Sequence, residues 1–351
     1  MDKFVCVRVV QANALDLALF QFDYDLTFAV FFMNADRTIY GRYGSRSDRK
    51  DATKDISIAG LGEALVAALD LHKHYPANKA SLAGKQPRPA RFKTPDEFPS
   101  LRGKYQAKLD YEGKVVQSCM HCHQVRDAER RFFRDDRKPI PDEVLYPFPM
   151  PDAIGLSIDS KTKAGVKGVA AGSAAYEAGI KAGDEIVTLD GQPILSIADM
   201  QWVLHNAGQP ARLPAQVRRG RGRSTLELRL DKDWRRHCDI AWRATTWDLR
   251  RMAGGGLLLD EATAEERKLA KLPSDVLALR VNHVGEYGEH AVAKKAGFRK
   301  DDILVSVGGL TGRMTESELI GYLLRNNMPG DKIPVTVLRA GERVDLELPM
   351  Q

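Results

Sequence analysis

The strongest constraint on this chain is that part of it is written twice. Ala178-Gly179-Ile180-Lys181-Ala182-Gly183-Asp184-Glu185-Ile186-Val187-Thr188-Leu189-Asp190-Gly191 aligns without a gap on Ala296-Gly297-Phe298-Arg299-Lys300-Asp301-Asp302-Ile303-Leu304-Val305-Ser306-Val307-Gly308-Gly309. A stretch repeated in this way is one supersecondary unit used twice. In the first copy Ala174 to Ala178 makes a short helix that Gly179 stops, Gly183-Asp184 turns into a strand, and Asp190-Gly191 makes the tight turn after it. Each copy then supplies a helix, Ile197 to Asn206 and Thr315 to Asn326, and a closing hairpin, Leu213 to Leu230 and Ile333 to Leu348. At 351 residues the chain exceeds one ordinary core, so about two to four domains are expected. No apolar run approaches the length of a membrane span. The formal net charge is +6, but basic residues are spread among acidic neighbours except at Arg218, Arg219, Arg221 and Arg223. With Gly220 and Gly222 between them, those four read as decoration of a hairpin turn, and no nucleic-acid partner is expected.

Both copies resemble PDZ domains of the bacterial HtrA-like type, which places one domain over 151–232 and a second over 248–351. The resemblance implies binding of extended peptides, usually free C-termini, by addition of a strand to a sheet edge. A loop of backbone N–H groups then holds the terminal carboxylate, and a glycine lets the backbone approach closely. In the first copy that loop is Ala153-Ile154-Gly155-Leu156, and in the second it is Gly255-Gly256-Leu257, though a glycine there also serves an ordinary turn. Pocket walls are expected from Leu156, Ile158, Met200, Val203 and Leu204, and from Leu257, Leu259, Leu319, Tyr322 and Leu323; for any one of these, ordinary core packing is an equal reading. Protease activity is not expected, because the first 150 residues hold no Gly-x-Ser-Gly nucleophile setting and no Ser/Lys site follows the second copy.

The only cluster of soft ligands is Gln117-Ser118-Cys119-Met120-His121-Cys122-His123-Gln124. Cys-x-x-Cys-His is the spacing that attaches c-type haem, with Cys119 and Cys122 as thioether anchors and His123 as the iron ligand. Met150 is a candidate axial ligand, with His72, His74 and His121 as rivals. The same residues permit a redox dithiol in which His121 or His123 lowers a thiol pKa, half of a zinc site, or no chemistry. Cys238, beside His237, is a candidate third metal ligand, and Trp242 and Trp247 between the copies read as interface packing.

The front of the chain reads as a strand at Phe4 to Val10, a helical stretch around Leu15 and Leu19, a hairpin of Phe28 to Met33 with Thr38 to Tyr43, and a helix carrying Ile58, Leu61, Leu65, Ala68 and Leu69. That order is similar to the second half of a thioredoxin fold over 1–75, without its Cys-x-x-Cys strand and helix or its cis-proline, and Cys6 is expected as a small buried hydrophobe. From 76 to 150 prolines break the periodicity, leaving helices only near Phe98 to Leu109 and through the cysteine motif to Phe133. The whole is a multidomain α/β plus α+β chain that resembles the thioredoxin-like/PDZ proteins of environmental bacteria, some of which are selenoproteins. The expectation is a periplasmic or otherwise extracytoplasmic redox-linked protein that recruits C-termini and has a redox partner, with haem electron transfer or thiol-disulfide exchange at the cysteines. The alternative is a non-catalytic scaffold with a structural cysteine segment. No signal peptide is visible, so a natural front end upstream of Met1, with an export signal, is expected.

Overall fold

A computed structural model describes residues 3–351. It divides into two compact units, one made of the chain up to Arg126 with Tyr146–Cys238, the other of Asp127–Leu145 with Asp239–Gln351. The division cuts through the proline-rich 76–150 stretch instead of following the four consecutive segments expected from the sequence.

Along the chain come β1 (Val30–Met33), β2 (Ile39–Tyr43) and helices α1 (Ile58–Lys73), α2 (Val115–Ser118), α3 (Cys122–Asp135) and α4 (Asp142–Leu145). The first repeat copy contributes β3 (Leu156–Ile158), β4 (Val166–Val169), α5 (Ala174–Glu177), β5 (Glu185–Leu189), β6 (Gln192–Pro193), α6 (Ile197–Asn206), β7 (Ala211–Arg219) and β8 (Gly222–Leu230). After it come α7 (Thr246–Gly254), β9 (Leu257–Glu261), α8 (Ala264–Leu269), β10 (Leu279–Val284), α9 (Val292–Lys295), β11 (Ile303–Val307), α10 (Glu316–Asn326), β12 (Lys332–Arg339) and β13 (Glu342–Pro349).

The repeated sequence builds the same local structure twice. Backbone φ is positive at Gly179, Gly183, Asp190 and Gly191, and again at the matching Gly297, Asp301, Gly308 and Gly309, so the two copies turn at the same points. Val166 N–H donates to Asp184 O at 2.7 Å as Val281 N–H donates to Asp302 O at 2.8 Å, and Asp190 N–H reaches Pro214 O as Gly308 N–H reaches Pro334 O. An Asp–Arg clamp also recurs. Arg219 forks onto both oxygens of Asp184 and onto Gly179 O, and Arg339 does the same with Asp302 and Gly297 O. A bridge from Gly165 to Glu185 links the β3-β4 pair to the β6-β5-β7-β8 sheet, giving the path β3-β4-β5-β7-β8. The second unit has the corresponding order β9-β10-β11-β12-β13.

In the first unit the β1–β2 hairpin forms as expected, with the turn held by Asn34 Oδ1 accepting from Thr38 N–H at 2.9 Å. Every residue of β2 is buried, because α1 covers it from one side and α6 from another. Small residues make that approach possible: α1 buries Gly60, Ala64 and Ala68, while Ile58 is 92% exposed. Phe32, Tyr40, Tyr43, Ala64, Ala68 and Leu82 share their cluster with Leu195, which lies just before α6.

Several front-end expectations are corrected. Phe4 to Val10 is not a strand; it pairs with no strand of the fold, and Val5, Val7, Val9 and Val10 face solvent. Cys6 is exposed, not a buried hydrophobe. Leu15 to Leu19 forms turns that bury Leu15 and Leu17 without a helix, and Phe98 to Leu109 has no α-helix. Strand, helix, hairpin, helix thus reduces to hairpin and helix. The helix through the cysteine motif breaks into α2 and α3 at Cys119-Met120-His121.

Candidate functional site

The first candidate peptide site is made by β3 and α6, whose apolar residues share one buried cluster. A 3-10 turn, Pro151–Ile154, leads into Gly155, whose φ of 83° is left-handed and whose missing side chain admits Ser173, since a Cβ there would lie 2.0 Å from Ser173 Oγ. Gly155 N–H donates to Asp152 O, and its carbonyl accepts from Ala170 N–H at 2.9 Å. The expected pocket residues do come together: Ile154, Leu156, Met200, Val203 and Leu204 belong to one buried cluster, with Ile158 at its margin. Trp234, which the sequence reading did not single out, joins the same cluster and hydrogen-bonds Gly208 O through Nε1 at 3.0 Å. Its neighbour Arg235 donates to the carbonyls of Leu204, His205 and Ala207, capping α6 with a buried cation at the negative end of its dipole.

The outer face of α6 is clamped as firmly as its inner face. Asp199 is buried and accepts from Arg42 N–H at 3.1 Å and Leu195 N–H at 3.0 Å, with Lys85 Nζ 2.9 Å away. Burial pulls the Lys85 ammonium below its ordinary pKa and Arg42 down to about 10, and the Asp199 carboxylate opposes both shifts. Trp202 Nε1 donates to Gly84 O at 2.8 Å while the Arg42 guanidinium lies 3.8 Å from its ring centroid. Gln201 donates to Phe148 O, and Phe148 stacks on His205 with centroids 4.1 Å apart. The helix is therefore a fixed wall.

In the second unit Gly255 and Gly256 end α7. Their N–H groups donate to Arg251 O and Arg250 O, both at 3.0 Å, as a helix cap. A Cβ on Gly256 would sit 2.0 Å from His290 O, so close backbone approach requires glycine there. Leu257, Leu259, Leu319 and Leu323 are buried, and Tyr322 is half-buried. At the head of α10, Glu316 accepts from Arg250 Nε at 2.9 Å, Arg250 Nη2 at 2.6 Å and Leu259 N–H at 2.9 Å.

The cysteine segment is held by the front of the chain. Asn13 Oδ1 accepts from Met120 N–H at 2.7 Å, Asn13 Nδ2 donates to Gln106 O and Ser118 O, and Ala12 N–H donates to Met120 O. Met120 is fully buried between half-buried, free Cys119 and Cys122. Burial first, and then the neighbouring Cys119, push the Cys122 thiol above its ordinary pKa. His121 is exposed, and His123 Nδ1 lies 3.0 Å from Tyr24 O. Met150 caps the 3-10 turn ahead of Gly155, His72 Nδ1 meets Tyr40 Oη at 2.9 Å, and His74 Nδ1 meets Asp70 O. Among the described residues no group of three or more His, Cys, Asp or Glu side chains is gathered to hold a metal, so Cys238 is not joined to the motif as a ligand. No helix of the described residues is long and apolar enough to cross a membrane.

Residues 165–216, from the start of β4 into β7, match the PDZ domain family model. The chain contains a PDZ domain. No curated protein matches it. Similar solved structures include a point variant of the HtrA-type protease AlgW with decapeptide, at 16% identity and a TM-score of 0.26 over 40% of each chain. AlgW with decapeptide is similar at 14% identity and a TM-score of 0.25, over 40% of this chain and 48% of that one. AlgW with tripeptide is similar at 14% identity and a TM-score of 0.24, over 40% of this chain and 53% of the other. The similarity thus spans roughly half, or less, of each of those proteases.

Proposed function

We propose that this chain is a peptide-binding protein whose first PDZ domain takes an extended C-terminal peptide along the free edge of β3, and whose second unit is a further PDZ domain. The PDZ match at 165–216 carries the reading. Two physical features support it. Strand β3 is bonded to β4 alone, leaving an edge open to an added strand, and the apolar residues of α6 lie in one cluster with Leu156. The second unit is read as PDZ from its matching turns, Asp–Arg clamp and strand order. In this reading the peptide's last side chain inserts beside Leu156, Met200 and Leu204, displacing packing these residues now make with one another, and its carboxylate lies at Ile154-Gly155-Leu156. Titration with a library of hydrophobic C-terminal peptides tests it. Equal affinity for free-acid and amidated forms would remove the carboxylate loop from the assignment.

A second reading concerns Cys119 and Cys122, and one observation favours haem over a dithiol. His123 turns Nδ1 to a backbone carbonyl, which fixes the ring and leaves Nε2 for an iron, as ligating histidines are commonly held. The donor set of two thiols and one oriented imidazole fits covalent haem, which when bound supplies one-electron transfer and implies extracytoplasmic maturation with a redox partner. The pyridine haemochrome spectrum of protein made with an export signal and a cytochrome c maturation system tests this reading. A band that survives acid-acetone extraction and vanishes in Cys119→Ala is expected; colourless protein with both thiols titratable refutes it.

A further inference from the structure

Strand addition needs unpaired backbone groups along a sheet edge, and the second unit's edge differs from the first in a way that decides which groove can work. Strand β9 pairs with β10 on one side only, and on the other side Leu259 N–H already has an acceptor, Glu316 Oε1 at 2.9 Å. Glu316 is 6% exposed and is gripped by both Nε and Nη2 of Arg250, itself 2% exposed and also bonded to Ala241 O. A carboxylate held bidentately and accepting from a β-edge N–H occupies the place an incoming strand's carbonyl would take. The glycine N–H groups are engaged in both copies, Gly255 and Gly256 capping α7 and Gly155 donating to Asp152 O, so the difference between the copies lies at Glu316. Helix α7 bears Arg250 and packs against α10, so all three contacts form one closed set.

The first copy lacks this device. Thr315 caps α10 as Ser196 caps α6, and the residue directly after the cap is Glu316 in one and Ile197 in the other. An isoleucine has no acceptor to offer the strand edge.

Resting on the peptide-binding reading, we infer that Glu316, held by Arg250, is an internal ligand that fills the second groove, so that peptide enters the first PDZ domain alone. Hydrogen exchange of the full chain, with and without a free-acid hydrophobic C-terminal peptide from the library titration, tests the inference directly. At peptide concentrations about 100 times Kd, amides that open only when the peptide leaves slow by up to about 100-fold. Slowing at residues 156–158 with no change at 257–261 is the expected result. Slowing at 257–261 in the wild-type chain overturns the inference while leaving peptide binding intact; slowing at neither strand refutes the peptide-binding reading itself. The double variant Glu316→Ile/Arg250→Met removes both charges together, so no lone buried ion remains. When folded, as judged by circular dichroism, it should gain peptide-dependent slowing at 257–261 and a second equivalent of bound peptide in calorimetry. A folded double variant that still protects only 156–158 also overturns the role given to Glu316; where it does not fold, the wild-type exchange pattern decides alone.

Discussion

Asp199→Asn is the sharpest test of how α6 is held in place. The carboxylate is buried and faces Lys85 Nζ at 2.9 Å, with the N–H groups of Arg42 and Leu195 at 3.1 and 3.0 Å. Asparagine keeps the volume but removes the negative charge and turns an N–H2 toward one of three donors. Lys85, also buried, then carries an uncompensated charge. Breaking one partner of a buried pair in this way costs about 3–5 kcal/mol. For a unit of this size that is a drop of roughly 6–20 °C in Tm. Urea unfolding followed by tryptophan fluorescence reports on this directly, because Trp202 lies on the same helix and Trp234 packs beneath it. The pH dependence has a definite sign. Lys85 is lowered in the folded state by burial, so the unfolded chain holds the proton more tightly, and stability rises with pH as it climbs from the folded value towards 10.5. Removing Asp199 lowers the folded value further and should steepen that rise. The double variant Lys85→Met/Asp199→Asn, which removes the lone buried charge and keeps an acceptor for the two backbone N–H groups, should recover the part of the loss due to Lys85. An Asp199→Asn cost under about 1 kcal/mol would refute the clamp, since a loss so small is typical of an exposed pair.

Three further outcomes follow from the geometry. Asp184→Asn should cost about 1–2 kcal/mol at pH 7 by urea unfolding, trimmed because Arg219 is nearly half exposed. The Arg219 hydrogen bonds hold Asp184 below its ordinary pKa, so its stabilisation is present above about pH 4 and lost as pH falls through the folded value; a wild-type-to-variant gap unchanged from pH 7 to 3 contradicts this. Gly256→Ala combines a left-handed φ of 93° with a contact of 2.0 Å to His290 O and should destabilise the second unit by about 2–4 kcal/mol, so an unchanged denaturation midpoint would count against the assigned backbone approach. In thiol titration at pH 7, exposed Cys6 should react well before Cys122, whose thiol burial pushes up; mass mapping that finds Cys122 modified first would overturn its placement.

What could be read from the sequence was whatever depends on local backbone chemistry. Gly179, Gly183, Asp190 and Gly191 have positive φ, and their counterparts sit at the same turns, so the repeated turns were visible in residue identity alone. Helix α6 was placed residue for residue, yet its environment was not: an amphipathic pattern predicts one buried face, and here Ile197 through Leu204 are all buried. The partners that Asp199 and Gln201 meet in the interior, Arg42, Lys85 and Phe148, lie far away in sequence. Helix α3 has partners just as distant: Arg130 and Arg134 are buried, Arg130 on Thr245 and Arg134 on the carbonyls of Asn327 and Gln351. Phe4 to Val10 differs in kind, since its strand-forming residues stay exposed and unpaired, and propensity without burial does not make a strand.

The two copies agree where agreement keeps the fold and differ where difference changes a surface. Asp184 with Arg219, and Asp302 with Arg339, tie the helix-to-strand turn to the far strand in both units; losing either clamp would loosen a scaffold that the copies share. The position after the helix cap is under no such demand. Ile197 is simply buried at the head of α6, whereas Glu316 turns inward to a strand edge and an arginine. A buried ion pair is seldom the most stabilising choice for such a place, since well-packed apolar side chains of similar volume do as well or better. Its advantage here is directional. It satisfies one edge N–H and excludes an added strand, which protects an exposed β edge from unwanted pairing while leaving the other unit's edge available.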